Sequence, residues 1–461
     1  MTKQTYFFCG IGGHGMNALA QILLARGHGV AGSDRAYDMG IEQTKFQTLK
    51  NLGAQLYPQD GSGIAKSHPD FFVVSTAVED TIPDVKAARD AGLEIIHRAD
   101  LLVQLSQSPN LMTVGGTSGK STTTAMLGHI MQEAGENPMV INGAGAVNQP
   151  NQKLSLAREG GGQTSAVEVD ESDGSISKFQ PNIAVLNNIS LDHKTMDELR
   201  ALFTGYLDAA KTGVVLNLDC LESMELPVDG KKVVTFSYQN PDADFYATNV
   251  TPEADGIAFK VNGETPVKLA VFGWYNVANG LAAIAAASLA GVAVEVAAKA
   301  FQSFAGMRRR LERVGLENGI LVLDDFAHNP HKIAATLKAL KEYPGRVFLV
   351  YQPHGFGPTK MMRDDLIKVF SELMAPEDKL YMPEIYFVGG TADKSISSKD
   401  LTDAIAANGR RAEYLPRRED IATALRAEAR PGDRICVMGA RDNTLSDFAH
   451  SILTQLKKKT A

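Results

Sequence analysis

Short apolar runs recur along the chain, each closing on a glycine-rich or polar cluster. They fall at Thr5–Cys9, 28–31, 71–75, 93–97, 111–114, Met139–Ile141, 165–169 and 183–189. They continue at Gly213–Asn217, 233–236, 321–323, Val347–Tyr351, Lys379–Met382 and Arg434–Met438. Helix-compatible stretches follow several of them, at 16–26, from Lys120 to about Ala134, at 281–290 and at 333–340. Brief buried runs alternating with helical patterns predict βα units and doubly wound parallel sheets, so the fold class is α/β. Residues 244–269 differ: they alternate and carry prolines, which predicts an antiparallel excursion. The polar, proline-bearing segment 106–110 interrupts the βα rhythm and marks a first boundary. A second falls after Arg308-Arg309-Arg310-Leu311-Glu312. The expected domains are 1–107, 108–312 and 313–461, in keeping with about three domains for a chain of 461 residues. The lysines at 457–459 read as a solvated helix end.

Composition narrows the class without changing it. Hydrophobic residues make up 44% and charged residues 21%, which is ordinary for a globular protein and excludes disorder. A net charge of −7 argues against nucleic acid as a partner. Cys9, Cys220 and Cys436 are far apart, with no C-x-x-C spacing, so they fit buried thiols in a reducing compartment. The N-terminus lacks the apolar core of a signal peptide, and no window offers eighteen uninterrupted apolar residues. The expectation is a cytoplasmic protein with no membrane partner; oligomeric state is not legible.

Candidate chemistry gathers at the strand ends, where open α/β sheets bind ligands. After the run 111–114, Gly115-Gly116-Thr117-Ser118-Gly119-Lys120-Ser121 leads into a helix. Such a turn aims backbone N–H groups and a helix N-terminus at phosphate, with a lysine to reach the terminal groups. The generic motif spaces its first glycine from Gly-Lys by four residues; Gly116 and Gly119 bracket only two. Glu168, Asp170, Glu171 and Asp173 end the next run, and His193 closes Asn187-Asn188-Ile189-Ser190-Leu191-Asp192-His193. Ser121, Glu168 and His193 are the candidates for Mg2+ beside a triphosphate. Gly10, Gly12 and Gly15 form G-x-G-x-x-G after the first strand, and Asp34 ends the second, which suits either a dinucleotide or another ribose-bearing ligand. Asn276 and Asn279 stand three apart on a helical turn, as a pair for a nucleobase edge or as caps. Arg309 or Arg310 and Asp325 could be brought to transferring phosphate from the third domain.

Taken in order, these motifs resemble the Mur ligase superfamily over essentially the full length. The resemblance rests on G-I-G-G-H-G-M-N-A-L-A at 10–20, G-S-D at 32–34, G-T-S-G-K-S-T-T-T at 116–124 and E-V-D-E-S-D at 168–173. It continues through N-x-x-N-x-L-A-A at 276–283, R-R-L-E at 309–312, D-D-F-A-H-N-P at 324–330 and Q-P-H at 352–354. It implies a Rossmann-like UDP-binding domain, a central ATP-binding domain with a parallel sheet, and a Rossmann-like C-terminal domain for the incoming amine. The implied reaction joins UDP-N-acetylmuramate to L-alanine through an acyl phosphate, with ATP and Mg2+; a short peptide as amine is the alternative. By position, Gly116, Thr117, Ser118, Gly119, Lys120, Ser121, Thr122, Asn276, Asn279, Arg310 and Asp325 would bind ATP. Lys120, Glu168, His193, Arg310 and Asp325 would carry catalysis. Gly10, Gly12, Gly13, Gly15, Met16, Ser33, Asp34, Ser75 and Thr76 would hold the UDP-substrate, and His328, His354 and Lys360 the amine.

The chain departs from the family pattern at several places. Gly355-Phe356-Gly357-Pro358-Thr359-Lys360 stands where alanine-type members carry arginines, and Lys360 can replace them only as a point charge. Tyr275 replaces a frequent histidine, and Ser121 a threonine. No lysine occurs in 196–206, where many Mur ligases carry a carbamylated one. A dinucleotide oxidoreductase built on Gly10–Gly15 leaves the second glycine motif and the acidic cluster without a role. A non-catalytic nucleotide-binding partner leaves the metal-type residues without one.

Overall fold

The computed structural model describes residues 2–41, 43–76, 78–147, 157–171, 174–191, 194–253, 255–387, 393–440, 442 and 444–457. Its strands form three sheets. In the first, the order is Gln55–Tyr57, Gly29–Ser33, Thr5–Cys9, Phe71–Val74 and Glu94–His97, parallel throughout. The chain winds outward from Thr5–Cys9 in one direction, then returns to its other side at Phe71–Val74. That reversal opens a crevice at the carboxyl end of the first strand, where the Gly10–Gly13 turn lies.

The second sheet has ten strands. Asn110–Gly115 runs parallel between Ile183–Leu186 and Thr164–Glu168, with Gly115 opposite Leu186 and Val114 opposite Glu168. The register therefore puts three strand ends on one edge: the phosphate-type turn, Glu168 and Asn187. Phe245–Glu253 pairs parallel with Lys232–Ser237, so the excursion read as antiparallel begins on a parallel partner. Beyond it Phe245–Glu253, Gly256–Val261 and Thr265–Leu269 are successive neighbours in the sheet, too close in sequence for a parallel crossover, as the alternation implies. Ile257, Phe259 and Val261 are buried while Ala258 is half-buried and Lys260 exposed. The core runs without interruption from the first sheet into the second, from Tyr6 and Phe8 through Leu102 and Leu105 to Leu111, Phe179 and Phe203. Arg26 adds an ion pair to Glu159 at 3.1 Å and a hydrogen bond to the Leu105 carbonyl at 3.0 Å.

The third sheet is ordered Glu312–Glu317, Ile320–Asp325, Arg434–Met438, Val347–Tyr351, Lys379–Met382, Arg411–Tyr414, parallel except for the first strand. Asp325, Met438 and Tyr351 lie side by side at its carboxyl edge. Contacts divide the chain into two units. One comprises Met1–Val250, Ala258–Leu269 and Tyr275–Ala305; the other comprises Thr251–Ile257, Ala270–Trp274 and Gly306–Ala461. Within the second unit Phe272 is fully buried, its ring edge-on to Tyr343 at 5.3 Å. The Trp274 amide donates to the Glu342 carboxylate at 3.0 and 3.1 Å, and the Tyr343 hydroxyl to the Gly256 carbonyl at 2.9 Å. Among the described residues no helix is long and apolar enough to cross a membrane.

Candidate active site

In the central domain the buried strand Asn110–Gly115 ends in a turn that starts the helix Lys120–Glu133. Gly116 and Gly119 both take left-handed backbone, at φ +124 and +82. A Cβ on Gly116 would stand 2.9 Å from the Asn188 carbonyl, and one on Gly119 would collide with the Asn279 carboxamide. Glycine is needed here because the turn is pressed onto asparagines from two other stretches of chain, Asn187-Asn188 and Asn279. Asn188 accepts from the Ser118 amide at 2.9 Å through its side chain and from the Thr117 amide at 3.0 Å through its carbonyl. Asn187 donates to the Thr123 hydroxyl at 2.9 Å. Thr117 exchanges hydrogen bonds with Ser190, giving its hydroxyl to the carbonyl at 3.1 Å and accepting from the amide at 3.0 Å.

Lys120 is the first residue of the helix. Its ammonium donates to the Gly116 carbonyl and to Glu171 Oε2, each at 2.7 Å. The pair is largely dry, the side chains being 13% and 8% exposed. Ser121 is buried in the first turn, and Asn142 donates to its carbonyl at 2.9 Å. Glu168, at the end of its strand, accepts from the Gly143 amide at 2.5 Å. A hydroxyl and a carboxylate are hard oxygen donors and suit Mg2+, which uses one or two protein oxygens and takes the rest from phosphate and water. Among the described residues no three His, Cys, Asp or Glu side chains cluster as a metal cage. His193 and Asp173 lie outside the described residues.

Asn276 and Asn279 come together as the spacing implies: Asn279 donates to Asn276 at 2.9 Å and both are buried. Asn279 Oδ1 also accepts from Thr123 at 3.3 Å. The pair thus braces the phosphate-type turn from below. Thr122 is half-buried in the same helix.

In the first domain, Gly10 is left-handed and Gly13 caps the helix His14–Ala25. The amides of Gly10 and Ile11 donate to the Ser33 carbonyl at 2.9 and 3.0 Å, and that of Gly13 to Gly10 at 3.1 Å. Asp34 accepts from the Gly12 and Ala36 amides, both at 2.8 Å, so its carboxylate ties the turn to the next helix. The Ser33 hydroxyl is wholly buried on Asp84, and Met16 is core. Ser75 is half-buried and Thr76 exposed at the end of Phe71–Val74.

The second unit holds the remaining candidates. Asp325 is buried, which pushes its carboxyl up, while hydrogen bonds from the Leu311 amide at 2.6 Å, the Ala327 amide at 2.8 Å and Thr336 at 3.1 Å oppose that shift. These bonds make it a staple for the loops at its strand end. Beside it Asp324, pushed to about 6 by burial, receives Arg309 and Ser446. Arg309 and Arg310 both lie over the Phe326 ring, at 5.2 and 5.7 Å. His328 and His354 face each other edge-on at 5.7 Å, from the ends of the two strands that flank Arg434–Met438. Burial pushes the His328 imidazole down to about 4, and its Nδ1 meets the Phe326 carbonyl at 2.9 Å. A neutral ring there donates from Nδ1 and keeps Nε2 as an acceptor. Lys360 is exposed and bonded to Asp393 at 2.7 Å and Ser395 at 3.0 Å. Sequence reasoning missed the Glu171 partner of Lys120 and the asparagine support of the turn, although Asn187-Asn188 stood in a motif already singled out.

Three family models match this chain. The one described as Mur ligase family, catalytic domain, covers residues 5–108; the Mur ligase middle domain covers 114–287; and the Mur ligase, glutamate ligase domain, covers 309–441. The UDP-N-acetylmuramate–L-alanine ligase of Agrobacterium fabrum is 34% identical over 477 residues, 98% of this chain and 96% of that one. That of Pelotomaculum thermopropionicum is 34% identical over 458 residues, covering 95% of each. A solved UDP-N-acetylmuramate–alanine ligase from Thermotoga maritima shares the fold, with a TM-score of 0.80 at 24% identity over 99% of this chain and all of that one. A murein peptide ligase from Psychrobacter arcticus gives 0.66 at 25%, covering 98% and 99%.

Proposed function

The chain belongs to the Mur ligase family and is an ATP-dependent ligase; from that premise we propose that it joins the carboxylate of UDP-N-acetylmuramate to the amine of L-alanine in peptidoglycan synthesis. The observation carrying this reading is the Gly116–Lys120 turn at a helix N-terminus, with Glu168 ending the neighbouring strand. We place the domains at 1–107 for the UDP-sugar, 108–312 for ATP and 313–461 for the amine, in a protein of the cytoplasm.

In the proposed reaction a substrate carboxylate oxygen bonds to the γ-phosphorus while the bond to ADP breaks, giving an acyl phosphate. The amine nitrogen then bonds to the acyl carbon, phosphate leaves, and the amine proton is lost. Lys120 stabilises the transferring phosphoryl oxygens, releasing Glu171 as it does so. Ser121 and Glu168, with His193, are the residues that would hold Mg2+, which supplies positive charge to the phosphate oxygens. Gly10, Gly12, Gly13, Gly15, Met16, Ser33, Asp34, Ser75 and Thr76 frame the UDP-sugar site, with Ser33, Asp34 and Met16 shaping it from behind. Asn276 and Asn279 hold the nucleotide turn and face the adenine; Arg310 adds charge and Asp325 sets the loop that presents it. His328 lines the amine site, its neutral Nε2 an acceptor for a hydrogen bond from the incoming amine, and His354 and Lys360 complete that site.

A peptide amine is the second reading, favoured by the segment 355–360, whose single cation is already paired with Asp393. Phosphate release with UDP-N-acetylmuramate and ATP, compared between L-alanine and L-Ala-D-Glu-diaminopimelate, separates the two. Release with neither overturns both.

A further inference from the structure

The glycine turn of the first domain is short of free donors. Its Gly10, Ile11, Gly12 and Gly13 amides are all spent on Ser33, Asp34 and Gly10 acceptors. A diphosphate brought to this turn has to find positive charge elsewhere. The first-turn amides of the helix His14–Ala25 offer some, since helix N-termini leave their N–H groups unpaired within the helix. A full charge lies against that same turn. A Cβ built on Gly15 would stand 2.9 Å from Arg98 Nη1 and 3.0 Å from its Cδ. The arginine stem and guanidinium therefore cross the helix where the missing side chain leaves a slot. Arg98 begins the helix Arg98–Ser106, immediately after the strand Glu94–His97. It is mostly buried, which disfavours its charge, and the carboxylate of Asp170 counteracts this.

Asp170 lies two residues beyond Glu168, at the edge where the phosphate-type turn opens. Arg98 thus touches the first domain's glycine turn and answers electrostatically to the acidic end of the central sheet. A UDP-sugar bearing a lactyl carboxylate has to make the same span, from its diphosphate at one turn to its carboxylate at the other. Guanidinium presents paired donors that fit carboxylate and phosphate alike.

We propose that Arg98, threaded past Gly15, is a substrate-binding residue that receives an oxyanion of the UDP-sugar. The oxyanion is its diphosphate or its carboxylate. This rests on the proposed UDP-sugar site. An Arg98–Asp170 pair that merely ties two domains together is the competing account, and the variants below separate the two.

The test measures binding of UDP-N-acetylmuramate and UDP-N-acetylglucosamine to the full-length protein by calorimetry, with ATP affinity alongside. Arg98→Gln should weaken UDP-N-acetylmuramate about tenfold or more while leaving ATP within twofold, the size expected for one charge-assisted contact. Equal weakening of UDP-N-acetylglucosamine assigns the contact to the diphosphate; an unchanged affinity for it assigns the contact to the carboxylate. Gly15→Ala, which displaces the guanidinium while keeping its charge, should reproduce the loss. Asp170→Asn, which removes the carboxylate charge that acts on Arg98 but keeps Arg98 itself, should retain the wild-type affinity or exceed it. Arg98→Gln binding as tightly as wild type overturns the proposal, as does Asp170→Asn matching the Arg98→Gln loss. A wild-type protein that binds neither sugar nucleotide overturns the UDP-sugar reading instead.

Discussion

Replacing Lys120 by methionine keeps the length of the side chain and removes its charge. Glu171 then stays behind with its Oε2 facing the place where the ammonium stood at 2.7 Å, in a side chain only 8% exposed. Water cannot take the place of the lost partner without opening the turn. Breaking a buried pair from one side costs about 3–5 kcal/mol, most of it the penalty of an uncompensated charge. Because the ammonium also closes onto the Gly116 carbonyl, the loss should concentrate at the turn and the start of its helix. Hydrogen exchange in Lys120–Glu133 reads this locally, where exchange should speed by about two orders of magnitude or more. The sole tryptophan, Trp274, belongs to the other unit, so its fluorescence should change little. Adding Glu171→Gln removes the stranded charge and should restore most of the protection, since the two residues act as a coupled pair. ATP turnover should be absent from both the single and the double variant. Unaltered exchange in Lys120→Met would refute the buried pair; turnover regained in the double variant would refute the assignment of Lys120 to phosphate.

Gly119→Ala should raise KM for ATP and destabilise the protein by at least about 1–2 kcal/mol, because a left-handed residue gains a Cβ that meets Asn279; nucleotide titration and thermal melting check both. Asp325→Ala strands the Leu311 and Ala327 amides and the Thr336 hydroxyl, and should cost at least about 3 kcal/mol, read by Trp274 fluorescence in urea. His328 should titrate at about 4 by NMR. Its folded value lies below its unfolded one, so the contribution to stability is complete above about 6.5 and is lost as pH falls towards 4; His328→Gln should flatten that slope in urea unfolding.

Strand positions were readable because buried parallel strands write themselves as short apolar runs, and the runs at Thr5–Cys9, Gly213–Asn217, Val347–Tyr351 and Arg434–Met438 match the structure residue for residue. The turn Gly116–Lys120 was readable too, since its glycines, its lysine and the helix start are contiguous. What holds that turn was not. Asn188, Asn279 and Glu171 reach it from distant stretches, and a one-dimensional pattern carries no sign of which buried amide meets which backbone. The stretch 35–70 likewise went unread: Gln43–Asn51 and Ser62–Ser67 are amphipathic only weakly or briefly, and Gln55–Tyr57 is an edge strand with little to bury. Asp325 was legible as a polar strand end, but its donors were not: two loop amides, of Leu311 and Ala327, and the hydroxyl of Thr336 on the helix Pro330–Lys341 come from positions that no sequence pattern connects.

The backbone changes unit five times, at 250/251, 257/258, 269/270, 274/275 and 305/306. The seat for Phe272 includes Tyr343, some seventy residues downstream, and Gly256 waits on the same tyrosine. During synthesis these early segments must therefore leave the ribosome uncovered and stay so until residue 343 emerges. A fragment begun at Gly306 would be born without its own plug, an open socket ready to stick to a neighbour.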